Sequence, residues 1–581
     1  MKIETKVNKL TGIIKTQIGN YENNIGLEIN PSFAKRQKDI IDLVGDYWMS
    51  KYRDGTTDSS GYRKAFYNVI KNPVKVASKM IDLDTKDIKV IAEDGKSYYP
   101  SWFFGKELKK WMKHEKNKKG ETFGQFLNQV VYSLPRYGHI LVKKAGNTPY
   151  IVPLQNVVVD QSANRFLESD YIIEIHHYTD EQLRNEPWDE KKIEAIIKKK
   201  EKEDDKIVIY EIQGNVPGLK KNYFIFPKNA TKNSEILVEQ KKSRKELYKE
   251  LKWDDIQGRA LGIGVAEELF EAQIEKNINT NLLKAGTRWS SKHIFQTRDD
   301  SIANNLMTDI ENGDLIIANS PIDPVDVRET NLSVYNDEDE RWNKNIADIS
   351  FAYEGVQGQR PPSGTPFGTT QLNTAMTGLY YEQKREEVGM FIRDIIFEWI
   401  IPEFEKTIKN EHEIMIEEFD ENEVDILRNA IVSDDTNKAI AQFAKGNRRL
   451  PDKNEIEILK SISTEAYKRK KSLELPKSFY EDIKYRIDVV ITGEQIDMGA
   501  KVASLQSVLQ ILGGNPTILQ DKRTRNVFYQ LLDMLGISPV TLGVEEEPGL
   551  ADTMGQQQAK VAGSVAKPTP TQGVTNLPQR L

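Results

Sequence analysis

The sequence predicts a helix-rich α+β fold. Two observations carry that prediction. Long apolar stripes at i, i+3, i+4 spacing dominate the middle of the chain, and short β-branched runs between Gly and Pro signals fill a block after Gly138. No repeat at solenoid period is present. With 581 residues, 38% of them hydrophobic, the chain is long enough to bury a sizeable core in more than one structural region.

Composition narrows the chemistry. There is no cysteine, which removes disulfides, thiolate metal sites and cysteine nucleophiles together. The net charge of -6 comes from 82 basic and 88 acidic residues, a near balance unlike that of a protein whose main task is gripping DNA. No run approaches the roughly 18 apolar residues that span a bilayer, and the opening MKIETKVNKLTG lacks the apolar core of a secretion signal. The expectation is a soluble chain that stays in the cytoplasm where it is made.

Along the first half, residues 1 to about 60 suggest a helix pair and a surface loop, KYRDGTTDSSGYR. Ala65 to Ile81 carries apolar residues near helical spacing, with Pro73 starting a fresh turn or bending the element. Trp102 to Met112 continues the helical theme, and Phe123 to Leu134 predicts a helix that stops before Pro135. The runs HILVKKAG, PYIVPL and NVVVDQ then read as a hairpin or meander. A strand over Asp170 to His177 leads into a helix capped by Thr179, followed by a charged helix over Lys191 to Asp205 and a strand over Lys206 to Ile212.

The middle is the most informative part. Ala266, Leu269, Phe270, Ile274, Ile278 and Leu282 predict a helix over Gly262 to Ala285, about 24 residues and roughly 36 Å, with Gly286 as its stop. A compact insert over Ser290 to Leu332 has strand-like HIFQT and DLIIA around a helical SIANNLMTDIENG. A second helix is expected from about Val334 to Tyr353, with Asp337 to Glu340 near its positive end and Trp342, Ile346 and Ile349 on one face. The stretch GVQGQRPPSGTPFGT, Gly355 to Thr369, is too rich in Gly and Pro for helix or central strand. Behind it, a stripe from Leu372 to Ile408 predicts about 40 helical residues starting near Thr369 or Thr370, roughly 60 Å long, with a kink at Pro402. Downstream, strands are expected at Glu411 to Phe419 and Tyr485 to Ile491 with helices between, then helices at Asp497 to Leu512 and Leu519 to Leu535. From Glu545 the composition turns to Gly, Gln, Thr and Pro and predicts disorder.

The order of these elements resembles the portal proteins of tailed double-stranded DNA bacteriophages, the head-to-tail connector family, over about Tyr62 to Leu542. The residues that carry the resemblance are IVPLQNVVVDQSANRFLESDYIIEIHHYTDEQL, where a Pro-containing strand leads to Asp160 and a Thr-x-x-x-Leu run, and GRALGIGVAEELFEAQIEKNINTNLLKA, which looks like a first stem helix. The resemblance implies an N-terminal and wing region over 1–257, stem helix 1 over 258–289 and a small clip over 290–332. Stem helix 2 would occupy 333–354, a tunnel loop 355–369 and a long wing helix 370–410. The wing would continue over 411–495, with a short helical crown at 496–544 and a tail at 545–581.

It further implies a homo-oligomeric ring, a dodecamer, at the portal vertex of the virion capsid. DNA would be packaged and ejected through it, in transit and without sequence specificity. Its partners would be the terminase large subunit, the head-tail adaptor and the major capsid or scaffold protein, with no membrane, no cofactor and no catalytic role. In the tunnel loop Gln357, Gln359, Arg360, Ser363 and Thr365 would face the channel, mostly neutral groups with one guanidinium that touches phosphates without reading bases. Without the resemblance the loop reads as a surface excursion.

Other constellations have plainer readings. His176 and His177 are neighbours on a strand and point to opposite faces, so they do not share a metal and are assigned a structural or surface role. His412 lacks the second His of a zinc helix, and Gly258, Gly262 and Gly264 lack the spacing of a phosphate loop and read as a helix lead-in. The acidic clusters at Asp337 and Glu417 and the basic runs at Lys198 and Lys241 read as solvated faces. Two alternatives remain: another phage head or baseplate protein, and a metal-dependent phage nuclease, for which the abundant carboxylates would have to converge in a pocket.

Overall fold

The computed structural model describes residues 5–22, 37–83, 88–93, 98–144, 146, 148–200, 206–292, 294–298, 319–325, 332–353, 367–408, 412–415, 421–447, 449–467, 472–475 and 484–489. Helices and several small sheets are mixed in an α+β arrangement. The chain divides into two compact units: Met1–Ile91, Phe104–Phe404 and Arg486–Gly493 form the first, and Ala92–Phe103, Glu405–Tyr485 and Glu494–Leu581 the second.

In chain order the elements are α1 (Lys6–Glu22), α2 (Gln37–Trp48), α3 (Lys71–Met80), β1 (Ile88–Ala92), α4 (Tyr98–His114), α5 (Phe123–Tyr137), β2 (His139–Lys143), β3 (Tyr150–Val152), β4 (Val157–Val158), β5 (Tyr171–Tyr178), α6 (Asp180–Arg184), α7 (Glu190–Ile197), β6 (Ile207–Gly214), β7 (Tyr223–Pro227), β8 (Val238–Gln240), α8 (Arg244–Leu247) and β9 (Tyr248–Lys252). They continue with α9 (Val265–Glu268), α10 (Phe270–Ser290), β10 (Ile294–Gln296), β11 (Asp323–Val325), α11 (Leu332–Ser350), α12 (Phe367–Ile395), α13 (Ile401–Ile408), β12 (His412–Met415), α14 (Glu421–Asn447), α15 (Lys453–Tyr467), β13 (Ser472–Leu475) and β14 (Tyr485–Val489).

Two antiparallel sheets organise the first unit. One has the order β3-β2-β9 and the other is a meander, β4-β5-β6-β7-β8. Helix α1 packs on the meander through Val7, Leu10, Ile14 and Tyr21, which meet Ile173, Ile212, Phe224 and Phe226. Removing these side chains from water is worth about 1.5–3 kcal/mol each, which makes α1 an integral part of that layer. A helical layer of α2, α3, α5 and α9 buries Val74, Ala77, Phe126, Leu127, Val130, Val265 and Leu269. In the second unit, α14 and α15 form a helical hairpin, closed by Arg449 on Glu455 and by the Tyr467 hydroxyl donating to Asp435 at 2.5 Å, and β12 pairs antiparallel with β13.

Several sequence expectations change. The span from Ala65 to Val69 is not helical, and α3 starts only at Lys71, behind an N-cap Ile70 that already has helical dihedrals and with Pro73 in its first turn, where a missing N–H costs nothing. Helix α5 runs through Pro135 to Tyr137 and ends on Gly138, whose φ of 70° supplies the left-handed cap. The charged helix expected to Asp205 ends at Ile197. The long helix starts at Phe367, so residues 367–369 belong to it and not to the loop before it. A π-helical turn at Ile396–Ile400 separates α12 from α13, and the helical path continues through Pro402; the wider turn relieves the hydrogen bond that Pro402 does not donate. The acidic run at Asp337 to Glu340 lies beyond the first turn of α11, so it does not compensate the helix dipole as expected.

Candidate functional site

Helix α10 is built opposite to the usual amphipathic helix. After Phe270 and Ala272 at its start, its buried positions up to Gly286 are the polar Gln273, Lys276, Asn277 and Asn279, while Ile278, Leu282 and Trp289 are 47%, 48% and 51% exposed. The buried amides have a specific task. Gln273 Nε2 donates to Tyr67 O at 2.6 Å and its Oε1 accepts from Val69 N at 3.0 Å; Asn277 Oδ1 accepts from Tyr67 N at 2.9 Å; Asn281 accepts from Ala65 N at 2.8 Å and donates to Ala65 O at 3.0 Å. Four helical residues rise about 6 Å and two extended residues about 6.6 Å, so amides at i, i+4 and i+8 keep step with alternate residues of an extended strand. The helix edge thus replaces a neighbouring strand, which explains why residues 65–69 are not helical.

The same face ties α10 to α11. The Lys276 ammonium, with no solvent exposure, pairs with Asp339 Oδ1 at 2.5 Å and donates to Asn343 Oδ1 at 2.7 Å, and Asn279 Nδ2 donates to Tyr335 O at 2.8 Å. Beyond the helix pair, β10 and β11 form a short antiparallel ladder in which Ile294 and Phe295 are exposed. On α11, Ile346 is buried but Val334 and Ile349 are exposed, so the face expected to hold both Ile346 and Ile349 is only partly buried. Helix α11 ends at Ser350 and is followed by Phe351, a non-glycine residue with φ 51°, which costs on the order of 1 kcal/mol. Its ring stacks on Tyr380 at 4.6 Å, and the Tyr381 hydroxyl donates to Ser350 O at 2.8 Å, fixing the end of α11 against α12. The loop residues Gln357, Gln359, Arg360, Ser363 and Thr365 lie outside the described residues, as do the expected strand DLIIA, its flanking helix, the crown helices and the tail.

A second constellation lies between the two sheets of the first unit. Lys143 on β2 places its ammonium 2.6 Å from Glu174 Oε1 and 2.5 Å from Glu211 Oε1, and the Tyr248 hydroxyl donates to Glu174 Oε1 at 2.5 Å. Glu174 on β5 and Glu211 on β6 are directly opposite in the register, and His176 shares the face of Glu174 two residues on. The His176 Nε2 atom is 3.2 Å from Glu211 Oε2 and 3.4 Å from Glu174 Oε2. Burial pushes Lys143 down, but the charges of Glu174 and Glu211 outweigh it and hold the ammonium well above its ordinary range. Desolvation pushes Glu211 up, and Lys143 and His176 overcome it and hold the carboxyl well below the usual range. Tyr248 is driven up by burial and by Glu174. His177 is exposed on the other face, as strand alternation requires. The signal that could have found the cluster is Glu174-x-His176, two polar residues on the inward face of a strand.

Among the described residues no helix is long and apolar enough to cross a membrane. Compared with models of known protein families and with curated proteins, the chain matches none.

Proposed function

We propose that this chain is the subunit of a phage portal ring, which conducts double-stranded DNA into and out of the capsid. The observation that carries the reading is the inverted face of α10. A helix that spends its amides inward and leaves Ile278, Leu282 and Trp289 in water has a surface suited to another protein surface. In a ring the contact repeats head to tail, so one such stripe per subunit is covered by the next. The antiparallel pair α10 and α11 would be the stem, the segment between them the clip that docks terminase and later the head-tail adaptor, and the part of 355–369 ahead of α12 the tunnel loop carrying Arg360. A near-balanced charge suits a conduit, because a wall neutralising many phosphates would hold the duplex in place.

Electron microscopy and mass photometry of the purified chain test the reading. The expected result is a ring with a central channel and about a dozen copies, as the resemblance implies. The double substitution Ile278→Glu with Leu282→Glu should convert rings to monomers with an unchanged far-ultraviolet circular dichroism spectrum. Each apolar side chain covered is worth ~1.5–3 kcal/mol, so association should weaken by about 100-fold or more. A monomer at every concentration and salt would overturn the proposal.

A further inference from the structure

We propose that Glu174, His176 and Glu211 form a binding site for one zinc-like divalent cation, independent of any ring assembly. The three side chains offer one imidazole nitrogen and two carboxylate oxygens, all within 4.8 Å of one another. Zinc bonds of about 2.0–2.2 Å set tetrahedral ligand atoms roughly 3.3–3.5 Å apart. The separations of His176 Nε2 from the two Oε2 atoms, 3.2 and 3.4 Å, already have that scale.

The division of labour between the carboxylate oxygens points the same way. Both Oε1 atoms are engaged, by Lys143 in each case and by Tyr248 on Glu174. These partners orient the carboxylates as outer-shell groups orient metal ligands. The Oε2 atoms lie 3.2 and 3.4 Å from His176 Nε2, and the Tyr223 hydroxyl also reaches the Glu211 carboxylate. A single imidazole N–H serves one acceptor, and the contact to Glu211 has the geometry of a hydrogen bond while Glu174 Oε2 receives none. Glu174 has no solvent exposure, so that oxygen is a buried acceptor without a hydrogen-bond donor, 3.4 Å from the His176 nitrogen. A buried acceptor left unpaired costs about 1–3 kcal/mol, more when charged, and a cation between the three atoms removes that cost. Lys143 neutralises one of the two carboxylates, and the second charge remains for the ion.

The donor set selects the class of ion. Calcium takes six to eight oxygens and magnesium keeps several waters, neither of which suits an imidazole and two oxygens at sheet spacing. Imidazole with carboxylate suits zinc and its first-row neighbours, and His176, part-exposed at the cluster's edge, leaves a fourth position to water. Such an ion would fasten β5 to β6 on the face that meets β2 and β9.

The test uses the full chain, stripped with chelator and titrated with zinc by calorimetry, and separately with cobalt(II) followed by visible absorption. One zinc per chain and the visible bands of low-coordinate cobalt are expected. In His176→Ala the zinc affinity should fall by roughly 100-fold or more. In His177→Ala, one residue away on the opposite face, it should not change. Circular dichroism melting checks that both variants fold, and His176→Asn repeats the test with a polar side chain should the alanine variant be unstable. Zinc bound equally by the wild type and the folded His176 variants would be adventitious and would overturn the proposal. Absence of both zinc heat and a cobalt spectrum in the wild type would overturn it without any variant.

Discussion

Lys143→Met is expected to lower the free energy of unfolding by about 3–5 kcal/mol, read as a fall in the urea midpoint by tryptophan fluorescence. The size follows from what is left behind. Glu174 and Glu211 face each other across β5 and β6, a pairing of like charges that destabilises a sheet even at its surface, and here both are buried. Lys143 sits between their Oε1 atoms and reaches them from the other sheet. Methionine keeps the length and volume of the side chain, so the loss isolates the charge.

The pH dependence should also change sign. In the wild type the Glu211 carboxyl is depressed, so its contribution is present above the unfolded value of about 4.5 and is lost as pH falls through the folded value. The Lys143 ammonium is raised, so its contribution is present below about 10.5 and is lost only above that. In Lys143→Met two adjacent carboxylates cannot both ionise cheaply, and one holds a proton at a raised pKa. That group stabilises the fold at low pH and loses its contribution as pH rises. The variant should therefore gain stability from pH 7 to pH 5, where the wild type does not. A further Glu211→Gln substitution should recover part of the loss; no recovery would show that Lys143 acts by packing alone.

The contrast between this cluster and the helix pair shows what a sequence can reveal. Strands β2 to β6 were legible because β-branched residues alternate between strong turn signals, and Thr179 ahead of an acidic first turn announced a helix, which the structure closes with a capping box to Gln182. Helix α10 was legible as a helix, although it is set off from α9 at Leu269 and runs through the expected stop Gly286 to Ser290, but its inward face was not legible. Periodicity identifies an apolar stripe without saying whether the stripe meets this chain's core or another surface, and here Ile278 and Leu282 face out. Residues 65–69 were misread for a related reason, since their hydrogen bonds come from amides more than 200 residues away. The cluster escaped because cross-strand register, which brings Glu211 opposite Glu174, is not written in either strand alone. His176 was compared with its chain neighbour His177, when the informative neighbour was Glu174, two residues back.

Gly138→Ala and Gly264→Ala are expected to be among the most damaging alanine substitutions at the glycines of the described residues, together with Gly262→Ala, whose Cβ would run into Gly138 O, and Gly214→Ala, whose Cβ would run into Asp170 O. The segment Gly262-Ile263-Gly264 passes against the cap of α5 so closely that backbone meets backbone. A Cβ on Gly138 would lie 2.7 Å from Gly262 O, and one on Gly264 would lie 2.7 Å from Pro135 O and 2.8 Å from Gly138 Cα. None of these atoms is the end of a side chain that can swing away. The neighbourhood is also pinned: Trp253 N donates to Gly138 O at 2.9 Å, Asp254 and Ile263 exchange backbone hydrogen bonds, and Arg259 holds Gly262 O and Glu267. For Gly138 the left-handed conformation adds about 1–2 kcal/mol to an overpacking cost of about 1–3, so a loss of roughly 2–5 kcal/mol is expected. Gly264 has no positive φ and should lose only the overpacking part. Two controls separate the causes. Gly258 has φ 80° with open space around it, so Gly258→Ala should cost about 1–2 kcal/mol from conformation alone, and Gly12, exposed inside α1 with open space, should gain ~0.5–1 kcal/mol on becoming alanine. Equal losses at Gly258 and Gly138 would mean that close approach contributes nothing. Retention of wild-type stability by Gly264→Ala would mean that the 262–264 segment yields freely, and the glycines of GRALGIG would then need another explanation.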